Sequence, residues 1–403
     1  MKHIVFVIGN YKNGGVAMRS TNLANAFAEK GYKATILVTG AISDEVYFKY
    51  HENVEIVELS KYIEAHKKDK TLLEYRNKQQ KTIEKLKRLR YVTRFFPALD
   101  KVMAEKIRGI RRSKDMSAFI LNNQERIYIT FGLGYYEKTF FAVKPFGSKI
   151  IYAERNASEV EFPKNAIERN RLIELVGKAD GVILQTEDEL QFYGNKLKNA
   201  KIINNPVKAD LPERFIGERR KVIVNFCRVS QQKNLLLLFE AMQELHKDYP
   251  EYVLEIYGNT VVKQEEELLE EYKQLLKQMK ADAYIKLLPP SKDVHTLVRD
   301  SAMFVSSSDF EGLSNSMIEA MAMGLPCVCT DCLGGGAREM IQHGENGLLV
   351  PLNDAQALYL AMKRFIEEPA LAEKCSVNAE KKREELSLPL IADKWIEYIE
   401  SVI

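Results

Sequence analysis

The 403-residue sequence is poor in the residue types that announce metal or disulfide chemistry, with five cysteines, six histidines and a single tryptophan. Five thiols cannot all pair, and Cys327, Cys329 and Cys332 have no fourth ligand close in sequence, so they read as buried thiols on a strand rather than a metal site. No apolar run approaches the roughly 18 to 20 residues that a membrane-spanning helix needs. The opening MKHIVFVIGNY holds too short an apolar stretch for a secretory leader. The expectation is a cytosolic globular protein.

Charge is unevenly placed. The chain carries a net +3, yet residues 61–114 hold 18 Lys and Arg against 6 Asp and Glu, a surplus of 12 that leaves the remainder at −9. A basic segment thus sits on an acidic protein. With 46% apolar residues the chain can fill cores, and its length suits two or three domains.

HIVFVIG (3–9) is a β-branched run ending in a glycine turn, and VAMRSTNLANAFAEKGY spaces its apolar residues helically, with Gly31 as the stop. KATILV, RIYIT, KIIYA and GVIL supply further strands. The turn-rich NNPVKADLPERFIGERRK (204–221) interrupts this series as a linker, and a second series runs through VIVNF, YVLEIYG, AYIKLL, AMFVSS, PCVCT and GLLVP. Such alternation gives parallel sheets with helices on both faces. The expected architecture is α/β, with two Rossmann-like doubly wound domains, 1–205 and 206–386, facing a cleft. An amphipathic helix at 387–403 packs locally or crosses back to the first domain.

DFEGLSNSMIEAMAMGLPCV (309–328) places seven residues between Glu311 and Glu319. A helix beginning near Ser314 to Ser316 and stopping at Gly324, with Pro326 beyond, is predicted. Its open N–H groups and dipole suit a phosphate. Two acids beside an anion would repel it unless they engaged something else, and sugar or ribose hydroxyls are fitting donors. Ser316 with Glu319 also matches a capping box, which needs no ligand. In NFCRVSQQKN, Arg228 at a strand end and Lys233 before the next helix are placed to clamp a diphosphate, although a solvated pair would look the same in sequence.

Taken in order, these segments resemble the retaining, family 4 glycosyltransferases of the GT-B fold, over nearly the whole chain. NGGVAMRSTNLANAFAEKGYKATILV is similar to that family's first glycine loop and helix, and FCRVSQQKNLLLLFEAM to its Arg and Lys segment. EGLSNSMIEAMAMGLPCVCTDCLGGGAREMIQHGENGLLVPLND is similar to its signature block, and LQTEDELQFYGNKLKNAKIINNPV to the strand leading to its linker. AERN (153–156) resembles members that build bacterial surface polysaccharides.

The resemblance implies transfer of a hexosyl or N-acetylhexosaminyl group from a nucleotide sugar, UDP-linked by family frequency, to a saccharide or lipid-linked saccharide. It assigns Arg228 and Lys233 to the donor diphosphate and the departing nucleotide, Glu311 to the hydroxyls of the transferred sugar, and Glu319 to the ribose. The backbone of Leu313, Ser314 and Asn315 would contact phosphate or sugar. Gly14 and Gly15 would let a loop approach the donor, unless they form only a tight turn. Arg155 and Asn156 would serve acceptor or phosphate, with exposed loop polarity as the plainer reading. No cofactor and no metal are implied, because no Asp-x-Asp occurs, the nearest pattern being Asp309-Phe-Glu311, and two fixed cations can do the charge work of a divalent ion. Many relatives carry a histidine where this chain reads ITFGLGYYEK. Either the acceptor needs none, or Tyr135, Tyr136 or Glu137 replaces it.

A catalytically silent GT-B subunit that stabilises or recruits a partner transferase is the main alternative, and retention of Arg228, Lys233, Glu311 and Glu319 argues against it. A sugar-nucleotide epimerase of similar architecture is disfavoured by the signature block.

LKRLRYVTRFFPALDKVMAEKIRGIRRSK places Leu89, Val92, Phe95, Leu99, Val102, Met103, Ile107 and Ile110 at helical spacing, with Pro97 opening a second helix. The ordinary reading is a helix pair that covers the first domain's core and shows its cations to water. The sharper one is that residues 61–114 dock on an anionic membrane surface, peripheral on the inner face of the cytoplasmic membrane, and bring the cleft to a lipid-linked acceptor. No nucleic-acid recognition motif accompanies the charge, so nucleic acid is not an expected partner.

Overall fold

The computed structural model describes residues 2–11, 15–43 and 49–403. Gly14, singled out above, lies outside the described residues. Strands β1 (His3–Ile8), β2 (Lys33–Val38), β3 (Val54–Glu58), β4 (Ile127–Phe131), β5 (Lys149–Ala153), β6 (Gly181–Leu184) and β7 (Ala200–Ile202) form one parallel sheet, in the order β3-β2-β1-β4-β5-β6-β7. A second parallel sheet has the order β10-β9-β8-β11-β12-β13, from β8 (Arg220–Arg228), β9 (Val253–Asn259), β10 (Ile285–Leu288), β11 (Ser301–Ser306), β12 (Cys327–Thr330) and β13 (Leu348–Val350). Helices cover both faces of each sheet, which is why the strands read as continuous apolar runs; Ile4 to Ile8 are all fully buried. The chain therefore has the expected α/β architecture of two Rossmann-like domains.

Strand order reverses between β1 and β4 in the first sheet and between β8 and β11 in the second. Crevices form at the carboxyl ends of strands at such points. The β8 end carries Arg228 and the β11 end leads to Glu311, so topology alone brings these loops together.

The final helix, Leu388–Val402, returns to the first sheet. Trp395 is buried with its ring 6.2 Å from Phe131. The Tyr398 hydroxyl accepts the Val182 N–H at 2.7 Å and donates to the Asn199 carbonyl at 2.7 Å.

Helices Lys70–Thr93 and Pro97–Arg112 form a hairpin, with Pro97 in the first turn of the second helix as expected. Arg90 closes it with two bonds to Asp100, of 2.7 and 2.8 Å. Its root is tied down by Arg171, which reaches Glu105 at 2.6 Å and Glu137 at 2.9 Å. The ordinary reading of the apolar stripe fails at the far end: Ile107 is buried, but Leu89, Val92, Phe95, Leu99 and Val102 are exposed. A 24-residue helix is about 36 Å long, and its far end here has no core residues to lie against.

Candidate functional site

The loops after β8 and β11 are stitched together by side chains. Gln232 Nε2 donates to the Phe310 carbonyl at 2.8 Å, and Asp309 N donates to the Gln232 carbonyl at 2.9 Å. Asn234, in the left-handed region at φ 41°, donates to Asp309 at 2.7 Å, and Ser307 Oγ donates to the carbonyls of Lys233 and Asn234 at 3.0 Å each. This lacing delivers the Lys233 ammonium onto the Glu311 carboxylate, which also accepts from Ser308 Oγ at 3.1 Å. Both members of the ion pair are nearly buried. Burial pulls the Lys233 ammonium down, and the Glu311 charge more than offsets it, leaving Lys233 above the ordinary lysine value.

Arg228 is close enough for its charge to act on Lys233, but its guanidinium pairs with Glu265 at 3.2 Å and is half-exposed. Glu265 was not singled out from sequence. It stands in the first turn of the helix Lys263–Gln278 and also accepts the Val261 N–H at 2.7 Å.

The helix Asn315–Ala322 begins with Ser314 as its N-cap residue, and no side chain caps it. The predicted capping box does not form. Ser316 lies inside the helix with its hydroxyl 3.1 Å from that of Ser314, and Glu319 turns instead to His295 Nε2 at 2.8 Å. Both partners of that contact are buried, and the His295 ring stands edge-on to Phe226. Sequence reading missed His295 because no motif surrounds it. With no cap, the first N–H groups of this helix are open to an anion.

The first domain closes on this surface. Were Gly15 to carry a Cβ, it would lie 3.3 Å from Asn315 Nδ2, so the starts of helices Gly15–Glu29 and Asn315–Ala322 face each other. Gln185, just past β6, accepts the Leu313 N–H at 3.0 Å and donates to Asn205 at 2.7 Å; Asn205 in turn donates to Asn315 Oδ1 at 3.2 Å. The Leu313 amide, expected at a ligand, is thus taken by Gln185. Gly312 sits so close that a Cβ would lie 2.9 Å from Gln185 Oε1 and 3.1 Å from the Arg155 carbonyl. A side chain at this position would have to push Gln185 Oε1 and the Arg155 loop aside.

On the first-domain wall, Arg155 follows β5, beside the partly buried Asn156. Glu154, fully buried, accepts from the Tyr152 and Tyr193 hydroxyls at 2.8 Å each, from Ser158 Oγ at 3.2 Å and from Arg155 N at 3.1 Å. Burial, with the charge of Glu161 adding to it, pushes Glu154 up to about 7. Glu189 is likewise raised, by burial and then by Glu154. Arg19, from the helix Gly15–Glu29, is pushed down to about 10 by burial and by the neighbouring Arg155. Among the described residues neither the Arg19 nor the Arg155 guanidinium has a hydrogen-bond or ion-pair partner. Two adjacent free cations make this wall attractive to an anion. Arg19 was missed in sequence because it looks like one polar position of an amphipathic helix.

The three residues named at the histidine gap differ in what they touch. Tyr136 is buried with its hydroxyl on the Leu175 carbonyl at 2.7 Å, and Glu137 is buried against Arg171 and Arg112. Tyr135 is partly exposed, and its hydroxyl lies against Gly9 at the carboxyl end of β1, in the crevice. Cys327, Cys329 and Cys332 are buried, and burial raises each thiol well out of the reactive range.

Residues 208–382 match the family Glycosyl transferases group 1. An uncharacterized glycosyltransferase of Haemophilus influenzae is 26% identical over 405 residues, covering 98% of this chain and 99% of the relative. The N-acetylgalactosamine-N,N'-diacetylbacillosaminyl-diphospho-undecaprenol 4-alpha-N-acetylgalactosaminyltransferase of Campylobacter jejuni is 26% identical over 268 residues, 63% of this chain and 71% of the relative. The crystal structure of Anabaena HepE in complex with UDP covers 100% of both chains with a TM-score of 0.72 at 16% identity, a likeness of fold. The segment that carries Lys233, Glu311 and Glu319 therefore matches the model of the glycosyl transferases group 1 family, on a chain with the two-domain GT-B fold.

Proposed function

We propose that the chain is a retaining, family 4 glycosyltransferase that moves a hexosyl or N-acetylhexosaminyl group from a nucleotide-diphosphate donor, a UDP-sugar foremost, to a saccharide or lipid-linked saccharide in surface-polysaccharide or glycoconjugate synthesis. The observation that carries this reading is the buried Lys233–Glu311 pair set beside the uncapped helix Asn315–Ala322. When a diphosphate arrives, Lys233 and Arg228 exchange Glu311 and Glu265 for phosphate oxygens, and the helix amides share the load. Glu311 is then free to accept from hydroxyls of the transferred sugar, and Glu319 from those of the ribose.

The bond from the anomeric carbon to the phosphate oxygen breaks with its electron pair going to phosphate, and the acceptor oxygen bonds the same face. The acceptor proton leaves to a departing phosphate oxygen. Lys233 and Arg228 stabilise the growing negative charge, which makes a metal ion unnecessary. Arg155 and Asn156 face the acceptor, joined by Arg19, and Tyr135 is the hydroxyl nearest the place of the missing histidine. Two names support the substrate classes: the HepE structure is a UDP complex, and the Campylobacter relative's name carries a diphospho-undecaprenol acceptor. The enzyme would work in the cytoplasm, held at the inner membrane face through residues 61–114.

Incubation with a panel of nucleotide sugars, with and without lipid-linked and free saccharide acceptors, tests the reading. Transfer to an acceptor with retained anomeric configuration, undiminished by a chelator, is expected. Donor isomerisation would indicate an epimerase, and no turnover alongside stimulation of a partner transferase a silent subunit. Glu319→Ala should weaken UDP binding by about tenfold, one lost charge-assisted bond, as read by the ligand-induced shift in melting temperature.

A further inference from the structure

We propose that the free end of the hairpin formed by helices Lys70–Thr93 and Pro97–Arg112 inserts into the interfacial layer of an anionic bilayer, its apolar side chains at the acyl boundary and a collar of cations on the headgroups. Tyr91 is 71% exposed, Phe95 73% and Phe96 64%, and Val92, Leu99 and Val102 are exposed beside them. Phe95 and Phe96 lie in the short connection between the helices, and the other four lie beside it. Six exposed apolar side chains gathered at one end of a hairpin mark a surface that is covered in use.

The charges around it identify the cover. Between residues 85 and 102 there are six Lys and Arg against the single acid Asp100, which Arg90 already holds. Among the described residues Lys85, Lys87, Arg88 and Lys101 form no ion pair. Arg94 lies 4.7 Å from the Tyr91 ring and 4.8 Å from the Phe95 ring, packing its cation on the aromatic apex. Such contacts strengthen as water leaves. Aromatic rings with interleaved Lys and Arg are the composition that lies at the headgroup level of an anionic leaflet. A second copy of the chain fits poorly, because two apices of the same uncompensated sign would repel. The hairpin does not cross the bilayer, as no helix among the described residues is long and apolar enough to do so.

This inference deepens the membrane-surface part of the function proposed above and rests on it. Its test reads lipid binding without turnover, so its failure leaves the transferase reading standing. The full chain is co-sedimented with phosphatidylcholine vesicles and with vesicles in which about a third of the lipid is phosphatidylglycerol. Binding to the anionic vesicles only is expected. Phe95→Ser with Phe96→Ser should lower it about tenfold or more, as should Arg88→Ala with Lys101→Ala. Added salt should weaken wild-type binding but leave a residue that the Phe95→Ser, Phe96→Ser variant lacks. Phe95→Trp should shift its emission to the blue with anionic vesicles, against the constant signal of buried Trp395. Unchanged circular dichroism and melting temperature in the variants, expected at exposed positions, exclude misfolding. Absence of wild-type binding to anionic vesicles, or equal binding by Phe95→Ser with Phe96→Ser, overturns the proposal. Lipid-free self-association that the double variant abolishes would also overturn it, assigning the patch to a second copy.

Discussion

Lys233 and Glu311 each solve a problem for the other in the ligand-free chain. A buried ammonium or carboxylate alone is costly, and the pair keeps both charged. Lys233→Ala should therefore do two separable things. Turnover should fall by about a hundredfold to a thousandfold, as for removal of a fixed donor at a departing anion. Stability in urea should fall by about 3 kcal/mol or more, because Glu311 loses its counter-charge. Adding Glu311→Gln should restore most of the stability and none of the turnover. A double variant no more stable than the single one would mean that the pair is not coupled as described.

A second residue-scale outcome concerns pH. Glu154 holds its proton up to about 7 in the folded chain against an ordinary 4.5, so the folded state binds that proton more tightly than the unfolded state. Its stabilising contribution is full below the ordinary value and is lost as pH rises through about 7. Glu154→Gln removes the titration while keeping a group that can accept from Tyr152 and Tyr193. The melting temperature of wild type should fall on going from about pH 5 to about pH 7.5, and that of Glu154→Gln should fall less.

At the scale of elements, the turn at Gly312 is where the two sheets' loops meet. A methyl group there would press on the Gln185 side chain and the Arg155 carbonyl, and the carbonyl belongs to a loop held by the buried Glu154. Gly312→Ala should cut kcat/KM about tenfold or more by displacing the Glu311 turn, with circular dichroism unchanged. Wild-type kinetics in that variant would mean that the approach of the domains is looser than the structure shows. The hairpin teaches a related lesson about elements. Its helical period and its Pro97 start were legible in sequence, but whether the apolar stripe meets a core or solvent depends on where the domain ends, which periodicity does not encode.

For the molecule as a whole, the C-terminal helix fastens the end of the chain to the first sheet. Tyr398 completes this by satisfying the Val182 N–H and the Asn199 carbonyl in a buried place. Tyr398→Phe should destabilise the protein by about 1 to 3 kcal/mol in urea, since both backbone groups lose their partner. Nucleotide binding in the other domain should be unchanged.

The alternation of strands and helices, the two parallel sheets, and a helix start between Glu311 and Glu319 were legible before folding, because they follow from patterns that repeat within a few residues. The sequence also marked Arg228 at a strand end and Lys233 just before the next helix. Which polar group meets which is settled by the packing of distant elements: Glu319 with His295, Arg228 with Glu265, Leu313 with Gln185, and Arg19 beside Arg155. Those partners stand tens to more than a hundred residues apart, and local propensity carries no information on separations set by strand order. The capping box failed for the same reason. Its local bond was available, but a buried histidine brought in by another helix gave the Glu319 carboxylate a partner that the chain near it could not.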